Sequence, residues 1–200
     1  LFNNGVYGLT KGQAAPTLRQ GEKTRAMTQE TLLYQLNPIM LAVTSGFTWI
    51  GRGYSYDTQQ LQGLIEQAIL HRGSAFIEIL QPCPTYNDLH DKHWFSAAAG
   101  TNAARLYSLQ EQDYDADVPA GSAQGLRNSK ISQCIVKAQE WGQQIPVGIF
   151  YRDYSRSEMS EMLVTQQPAY MDHPPHRHTL RVTERVSSID WHALLKQFAV

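Results

Sequence analysis

Between Phe47 and Leu80 two short apolar runs flank a segment with helical spacing, and this order restricts the fold more than any other feature. Phe47-Thr48-Trp49-Ile50-Gly51-Arg52 reads as a strand. Asp57 stands where a helix N-cap belongs, and Leu61, Leu64, Ile65, Ala68 and Ile69 recur on one helical face before Gly73 ends it. Ala75-Phe76-Ile77-Glu78-Ile79-Leu80 is a second apolar run of strand length. Strand, helix and strand in that order make a βαβ unit, which requires a parallel sheet covered by helices. The fold class expected is therefore α/β. In such sheets ligands lie beyond the carboxyl ends of the strands.

Two loops meet that condition. Leu1-Phe2 reads as the end of a buried strand, which makes the chain a piece whose N-terminal part is absent, and Asn3 to Thr17 follows it. Gln81-Pro82-Cys83-Pro84-Thr85-Tyr86-Asn87 follows the 75–80 strand. Both are expected on the same functional edge. Elsewhere, residues 18–30 read as a polar, exposed excursion, and Asn37-Pro38 opens a short helix from Ile39 to Thr44 that Gly46 ends. Further helices are expected over 129–142, 159–164 and 189–198, and 145–151 reads as a strand or extended segment.

Composition narrows the function classes. Apolar residues make up 42% of the chain, enough for a real core, and the formal charge of −1 gives no electrostatic reason to expect nucleic acid or an anionic membrane. No apolar run has the length of a membrane span. Two cysteines, Cys83 and Cys134, form no CxxC, so neither a disulfide framework nor a self-contained zinc site is expected. Cys134, inside a helical pattern, reads as a buried packing residue. His173, His176 and His178 form a tract that suits a metal but also a polar tail, since no carboxylate or cysteine set completes a site. Trp94, Tyr107 and Trp141 read as packing residues, because no basic residues interleave with them.

The loop Asn3-Asn4-Gly5-Val6-Tyr7-Gly8-Leu9-Thr10-Lys11-Gly12-Gln13 allows two readings. One is a polar turn punctuated by glycines. The other is a site for an oxygen-ligated cation and a phosphate. An Asn side chain and a nearby carbonyl suit Mg²⁺, glycine-flanked amides and the Thr10 hydroxyl suit phosphate oxygens, and Lys11 adds a positive charge. Gly5, Gly8 and Gly12 would permit unusual backbone angles there.

The longer strings add a resemblance. Asn-Asn-x-Val-Tyr-Gly-Leu-Thr-Lys-Gly-Gln-x-x-Pro-Thr, together with Gln-Pro-Cys-Pro-Thr-Tyr-Asn, Leu36-Asn37-Pro38 and Ile-Pro-Val-Gly-Ile-Phe-Tyr, resembles the β subunit of 2-oxoacid:ferredoxin oxidoreductases. It runs from Leu1 to about Tyr154, and nothing after Met171 takes part. The resemblance implies a thiamine-diphosphate-binding fold, with a parallel sheet flanked by helices and a C-terminal extension. It divides the chain into residues 1–90 (the C-terminal part of the cofactor domain), 91–165 (the family's C-terminal region) and 166–200 (a tail with a terminal helix).

The same resemblance implies roles. Thiamine diphosphate would be held through Mg²⁺ by the side chain of Asn4 and the carbonyl of Val6, with an Asp from a Gly-Asp-Gly that this sequence lacks. Tyr7, Gly8, Leu9 and Thr10 would line the cofactor, with Leu9 near the reacting carbon. Cys83 matches the last of the four cysteines that hold a 4Fe–4S cluster in this family. The implied activity is oxidative decarboxylation of a 2-oxoacid to an acyl-coenzyme A, with electrons passed to ferredoxin, in a cytoplasmic enzyme with a larger α-subunit partner. Pyruvate-type members often have Gly where Lys11 stands. An ammonium there would give the second carboxylate of 2-oxoglutarate a charge-assisted hydrogen bond of about 1.5–3 kcal/mol, which makes 2-oxoglutarate the expected substrate and pyruvate the alternative. Lys11 has two other possible places, a phosphate of coenzyme A or solvent. The competing readings are another thiamine diphosphate enzyme, of the decarboxylase or acetolactate-synthase type, and an inactive truncated domain. The former share the Asn-Asn ending but not Lys-Gly-Gln followed by Cys-Pro-Thr.

Overall fold

The computed structural model describes residues 1–97, 104–172, 174–177, 181–183, 186–187 and 190–198. Tertiary contacts divide the chain into two units, Leu1–Ser157 and Glu158–Val200. The first holds β1 (Phe2–Asn3), β2 (Val6–Tyr7), β3 (Gln13–Ala14), α1 (Pro38–Thr44), β4 (Trp49–Tyr54), α2 (Thr58–Leu70), β5 (Ala75–Leu80), α3 (Lys92–Ser96), β6 (Leu106–Ser108), β7 (Asp117–Val118), α4 (Gln124–Ala138) and β8 (Ile145–Asp153).

One sheet runs β1-β5-β4-β8-β6, with β7 also paired to β8. β1, β5 and β4 are mutually parallel, as the βαβ unit requires. β8 runs antiparallel to β4 while β6 and β7 run parallel to β8, so the sheet is mixed, and mostly parallel. Helices α1 and α4 pack on one face through Ile39, Val43, Cys134 and Ala138, which meet Ile50 and Phe150 of the sheet. On the other face Leu64 of α2 joins Trp49 and Ile149.

The local signals act as expected at two helix starts. The Asn37 side chain accepts from the Met40 amide with Pro38 in the first turn, and the Asp57 side chain accepts from the Gln60 amide. Several boundaries move. β4 covers Trp49–Tyr54 rather than 47–52, and α4 starts at Gln124 and stops at Ala138 rather than covering 129–142. Ala123 caps α4 without a side-chain hydrogen bond, so no cap residue marked its start. Nor is the 18–30 excursion wholly exposed. Leu18 and Thr24 are buried, because this stretch folds back over the loop after β5.

The second unit contains α5 (Met159–Gln166), α6 (Ala169–Asp172), the antiparallel pair β9 (Arg181–Thr183) and β10 (Val186–Ser187), and α7 (Trp191–Phe198). His176 lies in a single 3₁₀ turn, while His173, His178 and Ile189 are outside the described residues. Among the described residues no helix is long and apolar enough to cross a membrane.

Candidate functional site

The parallel pairing of β1, β5 and β4 brings their carboxyl ends together, and with them the two loops singled out above. The Gln81 amide donates to the Asn3 carbonyl at 2.9 Å, and Asn87 Nδ2 donates to the Asn4 carbonyl at 2.9 Å. The two loops therefore form one edge.

The foot of the first loop is tightly held. Asn3 Nδ2 donates to Glu78 Oε1 at 2.7 Å, and Asn3 Oδ1 accepts from Thr17 Oγ1 at 2.6 Å and from the Gly5 amide at 3.2 Å. Glu78 is itself fixed. Its other oxygen pairs with Arg52 Nε at 2.7 Å, with side-chain exposures of 1% and 2% in the middle of the sheet. Two buried charges this close compensate each other's lost hydration only as a pair, so the geometry is exacting. The guanidinium also lies 5.0 Å from the Phe150 ring centroid.

Asn4 Oδ1 accepts from the Val6 amide at 3.1 Å. β2 and β3 form an antiparallel hairpin, in which the Gly5 carbonyl accepts from Ala15 N and the Tyr7 carbonyl from Gly12 N. Alternation along such a pair turns the Val6 carbonyl between them outward. Asn4 keeps a second lone pair on its amide oxygen. Two hard oxygen donors two residues apart suit Mg²⁺, which completes its shell with further oxygens. The residues present thus fit the metal that the sequence implied. Thiamine diphosphate would meet them through that ion.

The tip of the hairpin is different. Gly8 to Lys11 closes it with a Lys11 N–H to Gly8 carbonyl bond of 3.2 Å, and Thr10 Oγ1 bonds Gln13 Oε1 at 2.6 Å. Leu9 is 98% exposed. Lys11, not Gly8, takes left-handed backbone, with φ 81°. That region is costly for a side-chain-bearing residue. Gly12 is needed where it stands, since φ is 101° and a Cβ would lie 2.8 Å from Ala26.

Cys83 sits half-buried in the second loop as a free thiol, and Cys134 is buried in α4. Burial pushes the Cys134 thiol up to about 12, so it stays protonated and apolar in character. The cluster that the resemblance implies takes four cysteine ligands, of which Cys83 would be one. Among the described residues no group of three or more His, Cys, Asp or Glu could hold a metal by itself. Arg25 clamps the cysteine loop, its guanidinium donating to the carbonyls of Pro84 and Thr85. Behind it, Trp94 packs between His90 and Trp141, with Arg105 stacked 4.4 Å from its ring centroid. Tyr107 bonds Glu140 and Lys137. These aromatic residues pack.

Asn4, Val6, Tyr7 and Cys83 stand on the edge expected of them, and Leu9, Thr10 and Lys11 project from it. A cavity of about 610 Å³ opens beside β1 and α1, lined by Phe2, Asn4, Tyr7, Leu36, Leu41 and Phe76. Sequence reasoning missed Asn3, Thr17, Arg52, Glu78 and Asn87, the residues that hold the loops. One signal was available for two of them, single opposite charges at Arg52 and Glu78 inside otherwise apolar strand strings.

Comparison with known proteins matches two stretches of the chain to family models. Residues 1–79 match the C-terminal thiamine pyrophosphate-binding domain of thiamine pyrophosphate enzymes, and residues 83–167 match the C-terminal part of the pyruvate ferredoxin oxidoreductase β subunit. The chain is 42% identical over 176 residues to the 2-oxoacid:ferredoxin oxidoreductase subunit beta of Saccharolobus solfataricus, covering 88% of this chain and 54% of that protein. It is 41% identical over 190 residues to the subunit of that name from Sulfolobus sp, covering 94% and 59%. The chain thus spans little more than half the length of these relatives. A 2-oxoglutarate oxidoreductase subunit KorB of Mycobacterium tuberculosis is 43% identical over 88 residues, 44% of this chain and 24% of that one. The solved 2-oxoglutarate:ferredoxin oxidoreductase from Magnetococcus marinus, with 2-oxoglutarate, coenzyme A and succinyl-CoA bound, shares the fold at a TM-score of 0.66. The match covers 100% of this chain and 57% of that one at 20% identity.

Proposed function

Because this chain belongs to the family of 2-oxoacid:ferredoxin oxidoreductase β subunits, we propose that it forms the part of such a subunit that holds Mg²⁺ and thiamine diphosphate and supplies one cysteine to a 4Fe–4S cluster. The reaction is oxidative decarboxylation of a 2-oxoacid to an acyl-coenzyme A, with electrons leaving to ferredoxin. The observation that carries this reading is the junction of the two loops: the Asn3–Ala15 hairpin loop and the Cys83 loop meet at one sheet edge through direct hydrogen bonds.

Each residue then has a task. Asn4 Oδ1 and the Val6 carbonyl orient the metal, and through it the diphosphate. Tyr7, Gly8, Leu9 and Thr10 line the bound cofactor, and the exposed Leu9 helps to exclude water once a partner covers it. When bound, thiamine diphosphate supplies the carbon nucleophile for decarboxylation. Lys11 holds the distal carboxylate of 2-oxoglutarate, the preferred substrate, while pyruvate lacks that group. The name of the KorB relative from Mycobacterium tuberculosis supports this preference. An α subunit covers the exposed apolar residues around the hairpin, Phe2, Tyr7 and Leu9 among them, and the assembly works in the cytoplasm.

The test is reconstitution of the full-length subunit with its α partner. Reduction of ferredoxin that requires 2-oxoglutarate, coenzyme A and thiamine diphosphate together is expected. A correctly assembled complex that carries its cofactors and reduces no ferredoxin with any 2-oxoacid would overturn the reading.

A further inference from the structure

Among the described residues the fold buries three Arg and Lys side chains, Arg52, Arg105 and Lys130. Arg52 pairs with Glu78, and Lys130 Nζ lies 2.6 Å from Asp115 Oδ2. Arg105 is 7% exposed, yet it has no carboxylate partner among the described residues. Its guanidinium makes one hydrogen bond among them, from Nη1 to the Gly142 carbonyl, and Nε is buried without a partner. Stacking on Trp94 offsets part of the lost hydration but supplies no full negative charge. A charge taken out of water ordinarily has an opposite charge beside it.

The surroundings add positive charge instead of cancelling it. Arg105 lines a cleft of about 710 Å³ together with Arg19, Lys23, Glu22 and Glu30. Gly142, whose carbonyl takes the Arg105 bond, has φ +102°, and a Cβ there would lie 3.8 Å from Arg19 Nη1. Two guanidinium groups therefore converge on one glycine. Neither Arg19 nor Lys23 forms an ion pair among the described residues. Glu22 is engaged elsewhere. Its Oε1 lies 3.1 Å from His90 Nε2, and its Oε2 accepts from the Arg19 amide at 3.1 Å. Glu30 is then the one lining carboxylate left to set against Arg19, Lys23 and Arg105.

We propose that this cleft binds a phosphate group, held between the guanidinium groups of Arg19 and Arg105 with Lys23 at the rim. A planar guanidinium presents parallel N–H donors that match phosphate oxygens, and the lysine adds a point charge. The bound anion gives Arg105 the counter-charge that the protein does not supply. The cleft is large enough for a nucleotide, so the phosphate is either free or carried on one. None of the lining residues belongs to the hairpin loop over 3–15, and the proposal does not depend on the functional reading above.

The experiment is a calorimetric titration of the full-length protein with inorganic phosphate, in a buffer free of other oxyanions. Saturable binding is expected in the parent. Arg19→Gln should weaken it about tenfold or more, the loss of a charge-assisted contact. Lys23→Gln should give a smaller loss. Both residues are exposed, so these variants should keep the fold and decide the matter even if Arg105→Gln does not fold. Phosphate should also raise the midpoint of thermal unfolding in the parent, and the rise should shrink or vanish in Arg19→Gln. ADP, titrated in the same way, distinguishes the two sources. Binding tighter than that of inorganic phosphate, and equally sensitive to Arg19→Gln, marks a nucleotide ligand, whereas weaker binding marks free phosphate. If neither probe binds saturably, or if Arg19→Gln and Lys23→Gln leave binding unchanged, the proposal is overturned.

Discussion

The foot and the tip of the first loop differ more than their few residues of separation suggest. At the foot, Asn3 is held by Glu78, Thr17 and Gly5, and Asn4 by Val6 and Asn87, with a buried ion pair behind them. At the tip, Leu9 is almost fully exposed and Lys11 sits in left-handed backbone. The foot has the rigidity that metal geometry demands. The tip carries an unfavourable backbone angle and an unburied leucine, which is tolerable where a substrate or a partner supplies compensation. Under the proposed function, cation binding and substrate choice would fall on separate parts of one hairpin. Changes at the foot should act on stability and cofactor affinity, and changes at the tip on selectivity.

The largest effect is expected behind the foot. Glu78→Ala leaves Arg52 buried without its partner and Asn3 without an acceptor, so unfolding free energy should fall by about 3–5 kcal/mol. Chemical denaturation measures it. A loss near zero would mean that the pair contributes nothing to holding the foot.

At the second loop, Cys83→Ala in the assembled enzyme should abolish the iron–sulfur absorbance. Cys134→Ala should leave the absorbance intact and cost about 1–2 kcal/mol of stability from lost packing. A cluster that survives Cys83→Ala removes that loop from the electron path.

The tip predicts a smaller, directional change. Lys11→Ala should lower kcat/KM for 2-oxoglutarate about tenfold or more and leave pyruvate nearly unchanged. Equal losses for both substrates would take Lys11 out of the substrate site. The smallest effect distinguishes the two regions most sharply. Lys11→Gly relieves the left-handed backbone and should raise stability by up to about 1 kcal/mol while losing the same selectivity. A variant less stable than the parent would show that the lysine side chain supports the hairpin.

Much of the first half was legible because its signals are local. Asp57 and Asn37 carry their own helix starts, and the 75–80 strand reads directly from its apolar run. Placement of both loops at one edge followed from the βαβ rule together with the reading of Leu1-Phe2 as the end of a strand. The second half was less legible for physical reasons. β6 and β7 are three and two residues long and exist by pairing with β8, a partner that comes later in sequence. The direction of β8 is not written in its residues, since an apolar run suits a parallel or an antiparallel neighbour. α3 spans five residues around Trp94 and Phe95 and is too short to show a period. At the site, the side chains proposed as metal ligands could be named from strings, whereas Asn3, Thr17 and Asn87 act by contacts across 75, 14 and 83 positions, which no local pattern records.

The most direct test of the account is a crystal structure of the full-length enzyme, assembled with its α subunit and bound to thiamine diphosphate, with Mn²⁺ in place of Mg²⁺ so that anomalous scattering locates the ion. The account predicts one metal at the foot of the hairpin, with Asn4 Oδ1 and the Val6 carbonyl oxygen both within roughly 2.0–2.3 Å of it. A metal and diphosphate bound away from Asn4, or an Asn4 side chain turned from the ion, would contradict it.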